Sequence, residues 1–195
     1  MTSDAMPDRA ALLTALRDSG ATLSPALTEA ELLRIEASFG FVFAPDHRLM
    51  LSLALPLGDR FWPDWRGADE TDLRERLAWP TDGILFDVKQ NGYWNAAWGD
   101  RPMTPGQALD VARALDVARA HLAELPPLVP LYGHRYLPTV PSQVGNPVLS
   151  CYQTDVILYG VDLLDWFAHE FHGASTVNRT PRGIPFWTGL IEGDE

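Results

Sequence analysis

One cysteine, Cys151, stands among 195 residues, so no intrachain disulfide framework is available. Basic charge is also scarce: 15 Lys and Arg face 26 Asp and Glu, for a net charge of −11, and the only lysine is Lys89. Such a chain repels a phosphate backbone, whose binding depends on Lys and Arg releasing counterions, which argues against a nucleic-acid role. A basic protein partner would instead be attracted. Long apolar runs are missing as well. The longest, Leu49 to Leu57, is broken by Ser52 and Pro56 and falls far short of the ~20 residues a membrane span needs. No basic segment followed by an apolar run opens the chain, so the expected compartment is the cytoplasm. Neither a phosphate-cradling P-loop nor a dinucleotide glycine fingerprint occurs, and no cofactor is expected.

What is present has the composition of an ordinary globular protein, 46% hydrophobic and 21% charged. At ~150 residues per domain the length suits one domain. Leu12, Leu13 and Leu16 predict a helix over 8–18, stopped by Gly20. Thr28-Glu29-Ala30-Glu31 has the form of a capping box, and Leu32, Ile35 and Phe39 then recur on one helical face before Gly40. Pro45 suits the first turn of a third helix running to Leu55. GDRFWPDWR at 58–66 reads as an ordered loop, 69–78 as a short helix, and Ile84 to Val88 as a strand ending at Gln90-Asn91-Gly92.

Thr104-Pro105 predicts the start of the longest helix, reaching Leu125 with Val111, Leu115, Ala118 and Leu122 on one face. Within it the hexapeptide ALDVAR occurs twice, at 108–113 and 114–119; six residues do not restore helical phase, so the duplication lengthens a helix without repeating a surface. Beyond Pro126-Pro127 four strands are expected, at 128–132, 134–137, 147–153 and 156–159, followed by a helix from Asp162 to His172. Residues 1–7 and about 174–195 read as loosely held tails, the second held at most by Phe186, Trp187 and Ile191. Helices first, strands later and a helix last make the fold α+β.

Few residues carry a chemical signature. Asp165, His169 and His172 share one helical face, but HEFH lacks the spacing of a zinc helix, and no metal is expected there. Cys151 lies inside a predicted strand, where a thiol usually serves as a small buried hydrophobe. His134 sits at a turn without a sequence partner that would define a triad. Tryptophan placement is more informative: five of the seven lie at Trp62, Trp65, Trp79, Trp94 and Trp98. Trp is favoured as a binding anchor, so the segment from Arg60 to Asp100 is the expected docking surface. Trp62, Trp65, Trp94 and Trp98 would supply anchors, and Asp64, Asp87 and Asp100 the field that speeds encounter with a basic partner.

LTEAELLRIEASFGFVFAPDHRLMLSLAL at 27–55 resembles the opening of the SUKH superfamily: a helix, a Gly break, a Pro-led start and an apolar helix. His47 stands at that family's aromatic place, and Leu57-Gly58 where it usually has Asn-Gly. LVPLYGHRYLP at 128–138 and GNPVLSCYQTDVILYGVDLLDWFAHEF at 145–171 are similar to the family's paired strands and closing helix. The resemblance covers about 27–172. It implies a curved, mainly antiparallel sheet flanked by helices, and a partner-binding surface in place of catalytic machinery. In bacterial members it implies an immunity protein that neutralises a toxin, often a nuclease. The expectation is therefore a non-catalytic cytoplasmic protein-binding domain of that kind. A regulatory interaction module without a toxin partner is the alternative, and a hydrolase using His134, His169 or His172 the third.

Overall fold

In the computed structural model the chain is described at residues 5–67, 69–106, 108–173 and 179–193. The fold is α+β. Among these residues run seven helices, α1 (Arg9–Asp18), α2 (Glu29–Phe39), α3 (Pro45–Leu51), α4 (Glu70–Gln90), α5 (Val111–Ala123), α6 (Leu163–His172) and α7 (Trp187–Glu192). A short sheet pairs β1 (Thr22–Ser24) with β2 (Leu55–Leu57), and a four-stranded antiparallel sheet runs β3 (Leu128–Tyr132), β4 (Arg135–Pro138), β5 (Val148–Tyr152) and β6 (Asp155–Gly160) in chain order.

Both faces of the larger sheet contribute to a core, and strand alternation decides which side chain goes where. Val129, Leu131, Leu137 and Val148 join one core with Leu12 and Leu16 of α1, Ile35 of α2, Met50 of α3 and Trp166 of α6. Leu128, Tyr136, Leu149, Cys151 and Val156 join a second with Ile84 and Val88 of α4, Ala114, Ala118 and Leu122 of α5, and Trp187 of α7. Ile184 and Trp187 are buried in this second core, so the segment around them is packed there. Residues 174–178 of the expected tail lie outside the described residues, as do 1–4 and 194–195.

Local chemistry sets most boundaries as expected. The Thr28 hydroxyl accepts from the Glu31 backbone N–H at 3.2 Å while the Glu31 carboxylate accepts from the Thr28 N–H at 2.8 Å, completing the capping box. Arg66 donates to the same carboxylate at 2.7 Å, and chiefly this bond holds Glu31 down at about 2. α2 stops at Gly40, whose left-handed conformation suits a residue without a Cβ. α3 is shorter than expected, because Leu55 to Leu57 leave it to pair with β1.

Two elements differ from expectation. Ile84 to Val88 is helical: α4 runs uninterrupted for 21 residues, through Pro80. A proline inside a helix leaves the carbonyl four residues earlier without its N–H, here that of Arg76. The Tyr136 hydroxyl, reaching across from β4, donates to this carbonyl at 3.0 Å and replaces the missing bond. The second difference is the start of α5. Met103 pairs with Leu109 in a small hairpin, Asp110 N–H donates to the Pro102 carbonyl at 3.0 Å, and the Asp110 carboxylate then caps the helix by accepting from Arg113 N–H at 3.2 Å. The two ALDVAR copies thus play different parts. Only Val111 to Arg113 of the first copy is helical, whereas the second lies wholly within α5, with Asp116 mid-helix beside Arg119.

Candidate functional site

α4 sorts its residues by helical phase. Leu73, Pro80, Ile84, Asp87 and Val88 are buried. Positions 75, 79, 82 and 86, spaced i, i+4, i+7 and i+11, fall on the opposite, exposed face. Two of them are large aromatics, Trp79 at 49% exposure and Phe86 at 48%. Tyr152, at the end of β5, is 55% exposed and brings its ring centroid within 6.4 Å of Trp79. Phe61, 39% exposed, continues the strip beyond the N-terminal half of α4.

The turn between β5 and β6 is held hard against α4, which fixes Tyr152 in this company. Gly83 permits the approach, since a Cβ there would stand 2.8 Å from the Gln153 Cα. Asp87 locks it: one carboxylate oxygen accepts from the Thr154 backbone N–H at 2.9 Å and from its hydroxyl at 2.7 Å, and the other from the Asn91 side chain. Gln153 takes the positive φ of 58° that the tight turn requires. The strip is therefore pre-organised, with little ordering left for a partner to drive.

Three depressions follow one another along α4. The first, about 440 Å³, is lined by Phe61, Glu75, Trp79 and His134; the second, about 220 Å³, by Trp79, Asp82, Gly83, Phe86 and Tyr152. The third, about 540 Å³, is lined by Asp87, Tyr93, Trp94, Arg101, Tyr152 and Asp155. Trp79 stands between the first two and Tyr152 between the second and third, so the depressions form one interrupted groove.

Most residues expected to form the docking surface serve other purposes. Trp62 is buried, stacked on Phe171 at 6.0 Å and edge-on to Tyr132. Trp65 is buried edge-on against Phe41 and Phe43. Trp98 is buried in the second core, its ring stacked with His121 and with Phe186. All three fill cores, so none of them stands at the surface as the expected anchor would. Asp87 is likewise buried and positions the turn, so it supplies no field at the surface. Asp64 is exposed but accepts from the N–H groups of Arg66 and Gly67 in a local turn. Trp94 is half-buried, its indole N–H donating to the Gly99 carbonyl at 2.8 Å, and Asp100 is exposed. Of this set Asp87 and Trp94 line the groove.

The groups weighed for catalysis are scattered. Cys151 is fully buried and its thiol is pushed up by burial, away from the thiolate a nucleophile needs. His134 is exposed, its pKa lowered mainly by partial desolvation and then by Arg135. His169 stacks on Tyr159 at 4.3 Å and places Nδ1 2.9 Å from the Tyr159 carbonyl. Asp165 turns inward to accept from Val161 N–H at 3.0 Å, whereas His172 is exposed, so the three residues of that helical face do not converge. Among the described residues no group of three or more His, Cys, Asp or Glu is placed to hold a metal ion, and no helix is long and apolar enough to cross a membrane. Against protein-family models, curated proteins and solved structures, the chain gives no match.

Proposed function

We propose that this chain is a non-catalytic, cytoplasmic protein-binding domain that works as an immunity protein, covering a surface of a basic toxin as the SUKH resemblance implies. The observation that carries the reading is the strip of Phe61, Trp79, Phe86 and Tyr152, four large rings left 39% to 55% exposed on a rigid support. Solitary exposed apolar residues are ordinary; a row of aromatics along one groove is the signature of a docking surface. Trp and Tyr are also the residue types most often found as energetic anchors. The net charge of −11 favours a basic partner through its long-range field.

The test uses the full chain and its Trp79→Ala/Tyr152→Ala double variant as paired baits in lysate of the native host. Both side chains are exposed, so the variant keeps the fold, which circular dichroism checks. A basic protein held by the parent and lost from the variant is expected, and its expression in a host lacking this gene is expected to arrest growth until the parent is supplied. Equal retention by both baits, or a captured protein whose effects the parent leaves unchanged, overturns the reading.

A further inference from the structure

We infer that the depression between Trp79 and Tyr152 is a seat for an arginine side chain of the partner, with Asp82 as its counter-charge. This rests on the docking reading above and adds the chemistry of what docks. The first observation is the charge left over on α4. Glu70 is paired with Arg74, Asp72 with Arg76, and Asp87 is consumed by the β5–β6 turn. Arg76 is further occupied by the carbonyls of Arg60 and Phe61. Among the described residues Glu75 and Asp82 take part in no ion pair, and they flank Trp79 on its own helical face.

The second observation is shape. The Trp79 and Tyr152 rings are tilted by 57° with their centroids 6.4 Å apart, and they line one depression together with Asp82, Gly83 and Phe86. A planar guanidinium can lie on one ring face while its donor edge meets a carboxylate; a compact ammonium uses such a site less fully. An arginine here would leave its stem against Phe86, burying apolar carbons beside the charge. A second copy of this chain is a poor occupant. A two-fold interface sets a patch against itself, so it would bring the unpaired Glu75 and Asp82 against their own counterparts.

The probes are two blocked pentapeptides, Gly-Arg-Gly-Arg-Gly and the same sequence with citrulline, which keeps the shape of arginine without its charge. Each is titrated into the full ¹⁵N-labelled chain, following the Trp79 indole N–H, assigned with Trp79→Phe. The arginine peptide is expected to shift this signal saturably, the citrulline peptide to bind about tenfold or more weakly, and Asp82→Asn to weaken the arginine peptide by about fivefold. Equal binding of the two peptides, shifts confined to Trp94 and its neighbours, or an unmoved Trp79 signal overturns the seat. A Glu75→Gln/Asp82→Asn bait separates this from the wider reading. If it retains the partner fully while Trp79→Ala/Tyr152→Ala loses it, the arginine seat is wrong and the docking strip stands; retention by all baits removes both.

Discussion

Tyr136→Phe, made in the parent and again in a Pro80→Ala background, tests how α4 tolerates an internal proline. In the parent the Arg76 carbonyl has lost its helical donor to Pro80 and depends on the Tyr136 hydroxyl at 3.0 Å. Removing that hydroxyl leaves a part-buried carbonyl unsatisfied, which costs about 1–2 kcal/mol. In Pro80→Ala the new N–H at position 80 bonds Arg76 as in any helix, so the same Tyr136→Phe change removes only a supplementary bond, at about 0.5 kcal/mol. The two changes should therefore couple by about 1 kcal/mol, well outside the additivity expected of independent sites. Pro80→Ala alone should stabilise by about 1–2 kcal/mol: the ~3 kcal/mol helix penalty is relieved, less the looser unfolded chain and the lost packing of a buried ring. Urea unfolding of the four proteins measures all three quantities, provided the slopes agree. A coupling below about 0.3 kcal/mol would mean that the tyrosine does not stand in for the missing helical bond.

Gly83→Ala and Gly189→Ala should move stability in opposite directions although both lie within helices. At Gly83 the new methyl meets Gln153 backbone at 2.8 Å and costs about 1–3 kcal/mol, whereas at Gly189 it meets nothing within 4 Å and should gain up to about 1 kcal/mol. Burial holds the His47 imidazole at about 3, so between the ordinary value near 6.5 and that point the unfolded chain binds the extra proton and stability falls as pH drops. Between pH 7.5 and 5.0 this should amount to about 2 kcal/mol that is absent from His47→Phe, read from urea midpoints at the two pH values. Trp79 is the most exposed indole, so Trp79→Phe should remove most acrylamide-quenchable emission; with Glu75 and Asp82 beside it, caesium should quench it better than iodide. Cys151, buried in the second core with its thiol pushed up, should react with a disulfide reagent only when the protein unfolds, at one thiol per chain.

The elements with chemical stops were legible in the sequence. The capping box at Thr28, Gly40, the four C-terminal strands and the Asp162-capped helix lie where their residues indicate, because each boundary is fixed by bonds within a few positions. α5 begins later than the sequence alone suggests, because Thr104-Pro105 is a sound helix opening in isolation. A hairpin at Met103 and Leu109, with Asp110 as the better cap, prevails over it. For a similar reason the sequence alone divides α4: Pro80 disfavours a continuous helix, and the Tyr136 hydroxyl that takes the freed Arg76 carbonyl comes from 56 residues further along the chain.

That division also conceals the exposed aromatic strip. Read as a strand, Ile84 and Phe86 point to the same face and look equally like core. On a helix they lie about 200° apart, and the structure buries Ile84 completely while leaving Phe86 48% exposed. Trp79 and Phe86 share a face only when the whole of α4 is one helix, so the spacing of Glu75, Trp79, Asp82 and Phe86 was a signal without a frame. Tryptophan density points to Trp62, Trp65, Trp94 and Trp98 as anchors, and of these Trp62, Trp65 and Trp98 fill the two cores. Aromatic content reports burial and docking alike; what separates the two is whether the residue sits on the face its own element turns inward. Here that element is one helix through Pro80, whose freed Arg76 carbonyl accepts from a hydroxyl of β4, a contact between two segments that neither reveals alone.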